Sequence, residues 1–595
     1  MRNLPLAFAA LLPATALYAQ SPLASIDGPA SSALGSAVGS IADLNGDGVR
    51  EVVVGLPSLS TASGSFSGAV RVYSGAYLLH GTQPDILYQW NGAPGTAVGL
   101  GNALAAGVDV DGDGVQDVLV GATGDDLGGL APDSGSVNVF SGASGALLAS
   151  FSSTPHKGLG VSVAFVGDVN GDGYEDVGGG QNPFTVGPTA PGAAFVWSGE
   201  WIARTAAGQT PLSPMLLWSR AGHANGDRFG RAICGFGDLD FDGYADFAVG
   251  AREGGANGGG YVEFYSGATG SPLFSIDGLQ AWGFFGTALA SAGDVNGDGW
   301  SDLAIGSPGF DPPGTPVDTN VGAVYVLSGE WASATARGLV PQTSEFVLTV
   351  EGPNAGDGLG QSIAALDDLD FDGRGELALG GPQYLSGPAS GPGLVELVSG
   401  ASGRVLWRSY GGALGDSYGH ALAPAGDLDG DGVPDLVVGG PQIAVSGNLE
   451  GRMRVLSGLD LVGTAFCSAV PDSTGLAAEI GGHGSASVAA NSLLLSTEHV
   501  PPHATGVFLI GTGTSPLPAG NGVLCIGGAA VHRLGVVSAD ASGRLVLPLD
   551  LQNLPASVPA ILPGSHWNFE AWFRDTPAGG AGFNFSNALD VHFRP

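Results

Sequence analysis

One nine-residue unit constrains this chain more than anything else in it: an acidic, glycine-bearing loop that returns seven times. The copies read DLNGDGVRE from Asp43, DVDGDGVQD from Asp109, DVNGDGYED from Asp168, DLDFDGYAD from Asp238, DVNGDGWSD from Asp294, DLDFDGRGE from Asp368 and DLDGDGVPD from Asp427. Oxygen-bearing side chains hold positions 1, 3, 5 and 9, and glycine holds position 6. The copies recur every 56 to 74 residues. Units of that size stack on their neighbours to bury a core, so most of the chain must form one array.

The spacing points to a hard cation. Calcium takes about six to eight oxygens at roughly 2.3–2.6 Å, and alternating carboxylates in a tight loop can converge on one point, with a glycine at the sharp turn in a positive-φ conformation. Magnesium prefers water-rich octahedral sites and fits less well. Position 7 varies freely, as a ligand through its backbone carbonyl would. The expected ligands are Asp43, Asn45, Asp47, Val49 and Glu51; Asp109, Asp111, Asp113, Val115 and Asp117; Asp168, Asn170, Asp172, Tyr174 and Asp176; Asp238, Asp240, Asp242, Tyr244 and Asp246; Asp294, Asn296, Asp298, Trp300 and Asp302; Asp368, Asp370, Asp372, Arg374 and Glu376; and Asp427, Asp429, Asp431, Val433 and Asp435. One such turn alone is as compatible with solvent as with metal. Seven of them, each with carboxylates at positions 1, 5 and 9, argue for up to seven structural Ca2+ ions. An EF-hand needs a following helix and a Glu at position 12. Here a strand-like run such as DLAIG follows, so the loop joins two strands of a hairpin.

Much of the charge belongs to these loops. Positions 1, 3, 5 and 9 of the loops hold 25 of the 55 acidic residues, and seven calcium ions would bring the net charge of -36 to -22. The remaining acidity argues against nucleic acid or an anionic membrane as partner. Gly 105 and Pro 38 together would suit a disordered chain, but the strict repeat and 44% hydrophobic residues supply cores instead. Residues 1–19 combine one Arg, an apolar run and small residues near Ala16 and Ala19, the pattern of a secretory signal. No other segment is long and apolar enough to span a membrane. A destination outside the cytoplasm supplies calcium and permits disulfides. Of three cysteines, Cys234 falls in a repeat strand as a lone buried thiol, whereas Cys467 and Cys525 share the C-terminal segment, where pairing is open to them.

The flanks repeat too. A bulky residue and Gly precede each loop by a fixed interval (Leu34-Gly35, Leu100-Gly101, Leu159-Gly160, Phe229-Gly230, Phe285-Gly286, Leu359-Gly360, Tyr418-Gly419). A second Gly follows each loop, at 55, 121, 180, 250, 306, 380 and 439, then a strand ending in Ser-Gly, such as GYVEFYSG, then a fourth apolar run. Four short strands per period make one propeller blade, so seven periods make seven blades.

This Phe-Gly, acidic loop and Gly-x-Pro arrangement resembles the FG-GAP repeats of the integrin α-subunit propeller, over residues 21–460. The resemblance implies a seven-bladed all-β propeller, bound Ca2+ and a role in adhesion or ligand binding. Integrins carry such loops in only some blades, whereas all seven qualify here. Blade 3 also departs, since its second strand reads DVGGGQN and has lost apolar residues.

Closure follows from bookkeeping. The seventh repeat lacks a fourth run, and an orphan run at residues 22–28, PLASIDG, matches the fourth strand PLFSIDG of blade 4. Residues 23–26 therefore complete blade 7. Up-and-down strands put the acidic loops on one face with the connections between strands 3 and 4, two of which begin SGEW and suit short helices. The opposite face receives long, dissimilar loops, where binding normally resides and where the resemblance places ligand recognition.

Residues 463–595 lose the period and read as a β-sandwich-like domain. Within HWNFEAWFRD, Trp567, Phe569 and Phe573 share a core face and Trp572 lies on the other, where sugar stacking is the alternative to packing. No catalytic constellation is present: the His residues are scattered, with His223 and His420 in loops, and the acids are accounted for as ligands. The chain thus reads as a monomeric, secreted, calcium-binding scaffold for an extracellular protein or glycan. Two alternatives are a lectin-like binder using Phe184, Phe310 and Tyr384, and a calcium-dependent polysaccharide-active enzyme, for which 19 Lys plus Arg are a thin supply.

Overall fold

Short apolar runs separated by glycine turns pair with their sequence neighbours, and the chain accordingly folds into local antiparallel sheets. The computed structural model describes residues 22–593 except 81–84, 94–97, 126–133, 153–157, 183–189, 317–318, 370–372, 384–390, 430–432, 444–448, 459–461, 484–485, 487, 489–490, 492, 541–542 and 576–581. The expected leader at 1–19, the ligands Asp370, Asp372 and Asp431, and the loop aromatics Phe184 and Tyr384 lie outside the described residues.

Seven four-stranded antiparallel sheets form, one per repeat. Blade 4 is typical, with strands Phe229–Gly237, Asp246–Ala251, Tyr261–Tyr265 and Pro272–Asp277. Every second strand is buried along its whole length because neighbouring blades cover both of its faces. Fourth strands such as Pro272–Asp277 are mostly exposed.

The ring closes with the expected clasp. Ala24–Asp27 pairs antiparallel with Arg452–Leu456 as the outer strand of blade 7 (Ala24 with Val455, Ile26 with Met453), and the Leu23 amide donates to the Val455 carbonyl at 2.9 Å. Blade contacts then run unbroken around the circle. A β-carbon on the second repeated glycine of each blade would lie 1.8–2.2 Å from the carbonyl of the next blade's Phe-Gly-type glycine: Gly55 against Gly101, through to Gly439 against Gly35. Parallel bridges such as Gly260 to Phe285 repeat between neighbours and end with Gly451 to Leu34. No side chain fits at these crossings, which is why glycine recurs there.

Blade 3 keeps its second strand, Asp176–Gln181, despite DVGGGQ. Neighbours occupy the space: Ile233 and Val166 fill in at Gly178, Val137 and Trp197 at Gly179. Both SGEW connections form helices, α2 (Gly199–Ala206) and α3 (Gly329–Ala336), while α1 (Gly75–His80) in blade 1 carried no comparable signal. Ser198 caps α2 by accepting from the Trp201 amide at 3.1 Å, and Glu200 accepts from the Leu212 and Ser213 amides, folding the return loop onto the helix. Ser328 and Glu330 repeat this in blade 5.

The C-terminal segment forms a five-stranded sheet (Thr464–Phe466, Phe583–His592, His566–Arg574, Thr505–Ala519, Gly522–Ser538) and a three-stranded one (Glu479–His483, Leu493–Glu498, Leu545–Leu549). Their inner faces share one core that contains Phe508, Trp567, Phe569 and Phe573 with Ile480, Leu495 and Leu545. Trp572 lies on the outer face, half-buried, its ring centroid 5.7 Å from that of Phe583. Cys467 and Cys525 form a disulfide, and Cys234, expected to be buried, is only half-buried. Leu494 and Val546 rest on the cluster between blades 6 and 7.

Candidate metal centre

In blades 1 to 6 the acidic loop is organised by its own first aspartate, which accepts from the position-6 glycine amide. In blade 1, Asp43 Oδ1 accepts from the Gly46 amide at 2.7 Å and Oδ2 from the Gly48 amide at 2.7 Å. Asn45 Oδ1 accepts from Asp47 at 2.8 Å, and Asp47 Oδ1 from Val49 at 2.9 Å. The same bonds recur in blade 2 (Gly114 to Asp109, Asp113 to Asp111, Val115 to Asp113) and in blade 5 (Gly299 to Asp294, Asp298 to Asn296, Trp300 to Asp298). Amide donors turn each side chain inward. They also hold the Asp43 carboxyl below the usual carboxylate range, chiefly through Gly48. The position-6 glycines take φ of 88–93° at Gly48, Gly114, Gly173, Gly243, Gly299 and Gly373, a region that strains any residue with a β-carbon.

Position 9 behaves differently. Glu51, Asp117, Asp176, Asp246, Asp302, Glu376 and Asp435 are all fully buried. Each accepts from the amide of position 2, as Val110 to Asp117 at 2.9 Å and Leu239 to Asp246 at 2.7 Å. In blades 1 to 5 it also accepts from the glycine of the Ser-Gly pair after strand 3: Gly75, Gly142, Gly199, Gly267 and Gly329, at 2.8–3.2 Å. That glycine leaves no room for a side chain, since its β-carbon would lie 1.9–2.1 Å from the position-8 carbonyl in all seven blades. The repeated Ser-Gly was visible in the sequence, but its partner was not. One carboxylate thus ties the acidic loop to the hairpin between strands 3 and 4, and fixes both on one face.

Burial pushes these carboxyls up, Asp117, Asp246 and Asp302 to about 6 and Asp176 to about 7, with Glu51 raised for the same reason. A cation beside such a carboxylate would favour its ionised form. Three loops bring the oxygens together for one: Asp109, Asp111 and Asp117; Asp238, Asp240 and Asp246; and Asp427, Asp429 and Asp435 each offer atoms within 4.8 Å of one another. Oxygens bound to one ion at roughly 2.3–2.6 Å lie no farther apart than about 5 Å, so the donor set fits a divalent cation. Position 5 is partly turned aside: Asp47 Oδ2 takes Asn45 and Ser74, and Asp172 Oδ2 takes Ser213.

Position 7, free to vary as a backbone ligand, proves to have a side-chain role. Its side chain lies on position 4 of the preceding loop: Tyr174 on Gly112, Tyr244 on Gly171 and Arg374 on Gly297. Where position 4 is Phe241 instead of glycine, Trp300 meets its ring at 5.2 Å between centroids, and Arg337 from the end of α3 caps Phe241 at 4.3 Å.

A model of the FG-GAP repeat matches residues 285–327, which span one Phe-Gly pair, one acidic loop and the two strands after it. The chain is 34% identical over 221 residues to integrin alpha-5 of Xenopus laevis (36% of this chain, 20% of that protein). It is 29% identical over 318 residues to integrin alpha-V of Gallus gallus (49% and 29%) and 30% over 240 residues to integrin alpha-PS2 of Drosophila melanogaster (38% and 16%). The matches thus span less than a third of these relatives' own length.

Proposed function

We propose, from the premise that this chain is an integrin α-like FG-GAP repeat protein built on a β-propeller, that it is a calcium-dependent scaffold for adhesion or ligand binding outside the cytoplasm. In this reading residues 1–19 are removed on export, and no reaction is assigned to the chain. The observation that carries it is the division of labour between the two faces. One face is occupied by acidic loops tied through position 9 to the neighbouring hairpins, so bound Ca2+ stabilises the ring. The other carries connections of unequal length, with Phe66 between strands 2 and 3 of blade 1 and Leu279 and Trp282 between blades 4 and 5 in water, although exposed apolar side chains such as Leu212, Phe241 and Val340 also occur on the acidic face. Exposed apolar groups on rigidly held loops suit recognition of an extracellular protein.

Among the described residues no helix is long and apolar enough to cross a membrane. The lectin-like alternative gains nothing at Phe310, which is half-buried edge-on to Tyr325 at 6.2 Å. The test is capture from native extracellular material on immobilised protein, in calcium and then in chelator, with Leu279→Ser/Trp282→Ser as the rim variant. Capture that needs calcium and falls in the variant, with unchanged melting of that variant, supports the reading. Capture that is indifferent to both overturns it.

A further inference from the structure

The seven acidic loops are not equivalent, and the difference comes from a neighbour. Position-7 side chains reach back onto the preceding loop, and in blades 3, 4 and 5 those side chains are Tyr174, Tyr244 and Trp300, which carry no charge there. In blade 6 the residue is Arg374. Its guanidinium lies across Gly297, where a β-carbon would fall 1.7 Å from Nη2, and Nη1 stands 3.6 Å from Asp294 Oδ2. Asp294 is position 1 of the blade 5 loop, and its Oδ2 already accepts from the Gly299 amide at 2.9 Å. A fixed positive charge therefore sits against an oxygen that a cation in this loop would need.

We propose that Arg374 acts as a built-in competitor for the blade 5 cation, making this loop weaker for calcium than the loop of blade 2, whose position 4 meets the uncharged Tyr174. The inference rests on the reading of the loops as Ca2+ sites. Two further features agree with it. The blade 5 loop has Asn296 at position 3, so it offers three carboxylates, whereas the blade 2 and blade 4 loops offer four. Arg374 is only about one-third exposed, so its charge is held against the loop more firmly than that of a solvated side chain. Repulsion between a guanidinium and a divalent ion a few ångströms apart is worth about tenfold in affinity at solvent-like dielectric.

Trp300, at position 7 of the same loop, provides a local reporter. Terbium stands in for calcium as a hard, oxygen-seeking ion, and its emission sensitised by tryptophan excitation reads occupancy near Trp300. The experiment uses the full chain, with calcium displacing terbium, in wild type, Arg374→Met and Arg374→Lys. Calorimetric titration of calcium runs in parallel; because the Trp300 ring also meets Phe241 of the blade 4 loop, Asp238→Asn removes the blade 4 contribution and Trp300→Phe then identifies the blade 5 signal. Arg374→Met is expected to tighten the Trp300-reported site about tenfold and leave the other sites unchanged, while Arg374→Lys, which keeps the charge, stays near wild type. An unchanged Trp300-reported affinity in Arg374→Met, with calcium binding elsewhere intact, overturns this inference alone. Absence of calcium binding in wild type by calorimetry overturns the metal reading and this inference together.

Discussion

At the scale of single residues, position 9 of the acidic loop carries the most structure, and half of its role was legible in advance. The sequence marks Asp302 as one more carboxylate in a ligand pattern. It does not show that one oxygen takes the Val295 amide and the other the Gly329 amide, because the second partner lies 27 residues away across a hairpin. Position 7 escaped for the same reason: Tyr174, Tyr244, Trp300 and Arg374 share no chemistry, and what they share is a place on the neighbouring blade. Removing Asp302 strands two buried amides, so Asp302→Ala is expected to cost about 2–4 kcal/mol even in chelator, measured by urea unfolding. A loss seen only in calcium would assign the residue to metal binding alone. Glu570 gives a second prediction. It is fully buried in the C-terminal sheet, accepts from the Cys525 and Ile526 amides at 2.9 and 3.1 Å, and is pushed by burial to about 8. The folded chain then keeps a proton that the unfolded chain, with an ordinary carboxyl near 4.3, has released. Stability from this group is therefore complete below about pH 4 and declines as pH rises toward about 8, by up to about 1.4 kcal/mol per unit. Glu570→Gln should flatten that slope in the difference between the two unfolding curves, and a parallel pair of curves would refute it.

At the scale of elements, strand pattern and turn chemistry placed most of the blades, and the failures are local. The SGEW segments signal helices through a Ser cap followed by a Glu, and both form. GAYLLH lacks the acidic first turn that marks the other two, so α1 went unread. The DVGGGQ strand lacks the apolar side chains of its counterparts, yet it stays buried along its whole length. It does so because Trp197, Ile233 and Val137 reach into the vacated space, information held in other strands. The N-terminal strand was legible only because PLASIDG matches a sequence 250 residues downstream. Its pairing with Arg452–Leu456 makes the two ends of the propeller one sheet, and Arg452 adds an ion pair to Asp27. Deleting residues 20–27 should leave that strand as an open edge, lower the melting temperature by several degrees and promote self-association. A synthetic peptide of residues 22–28 should restore part of the loss. If the deletion melts like the full chain, the clasp contributes nothing to closure.

At the scale of the whole molecule, a ring held by glycine-to-glycine crossings and shared cores behaves as one cooperative body, since each blade's apolar faces are covered only by its neighbours. In the proposed reading, calcium acts on this body from one face. A site with a dissociation constant of about 0.1 mM in about 1 mM calcium contributes about 1.4 kcal/mol. Several such sites together rival the net stability of a typical domain, about 5–15 kcal/mol. The C-terminal sheets stand outside this linkage: their core is a separate cluster, a disulfide links the end of one of their strands to another strand, and their contact with blades 6 and 7 includes Leu494, Val546 and a hydrogen bond from Arg404 to the Asn491 carbonyl. Calorimetric melting in calcium and in chelator should therefore show two transitions that respond differently. The larger, belonging to the propeller, falls by many degrees when calcium is removed, and the smaller keeps its temperature. Reduction of Cys467–Cys525 should move the smaller one and leave the calcium dependence of the larger intact. Both transitions moving together would mean that the Leu494 contact couples the two parts into a single unit, and a propeller transition indifferent to chelation would remove the structural role of the acidic loops.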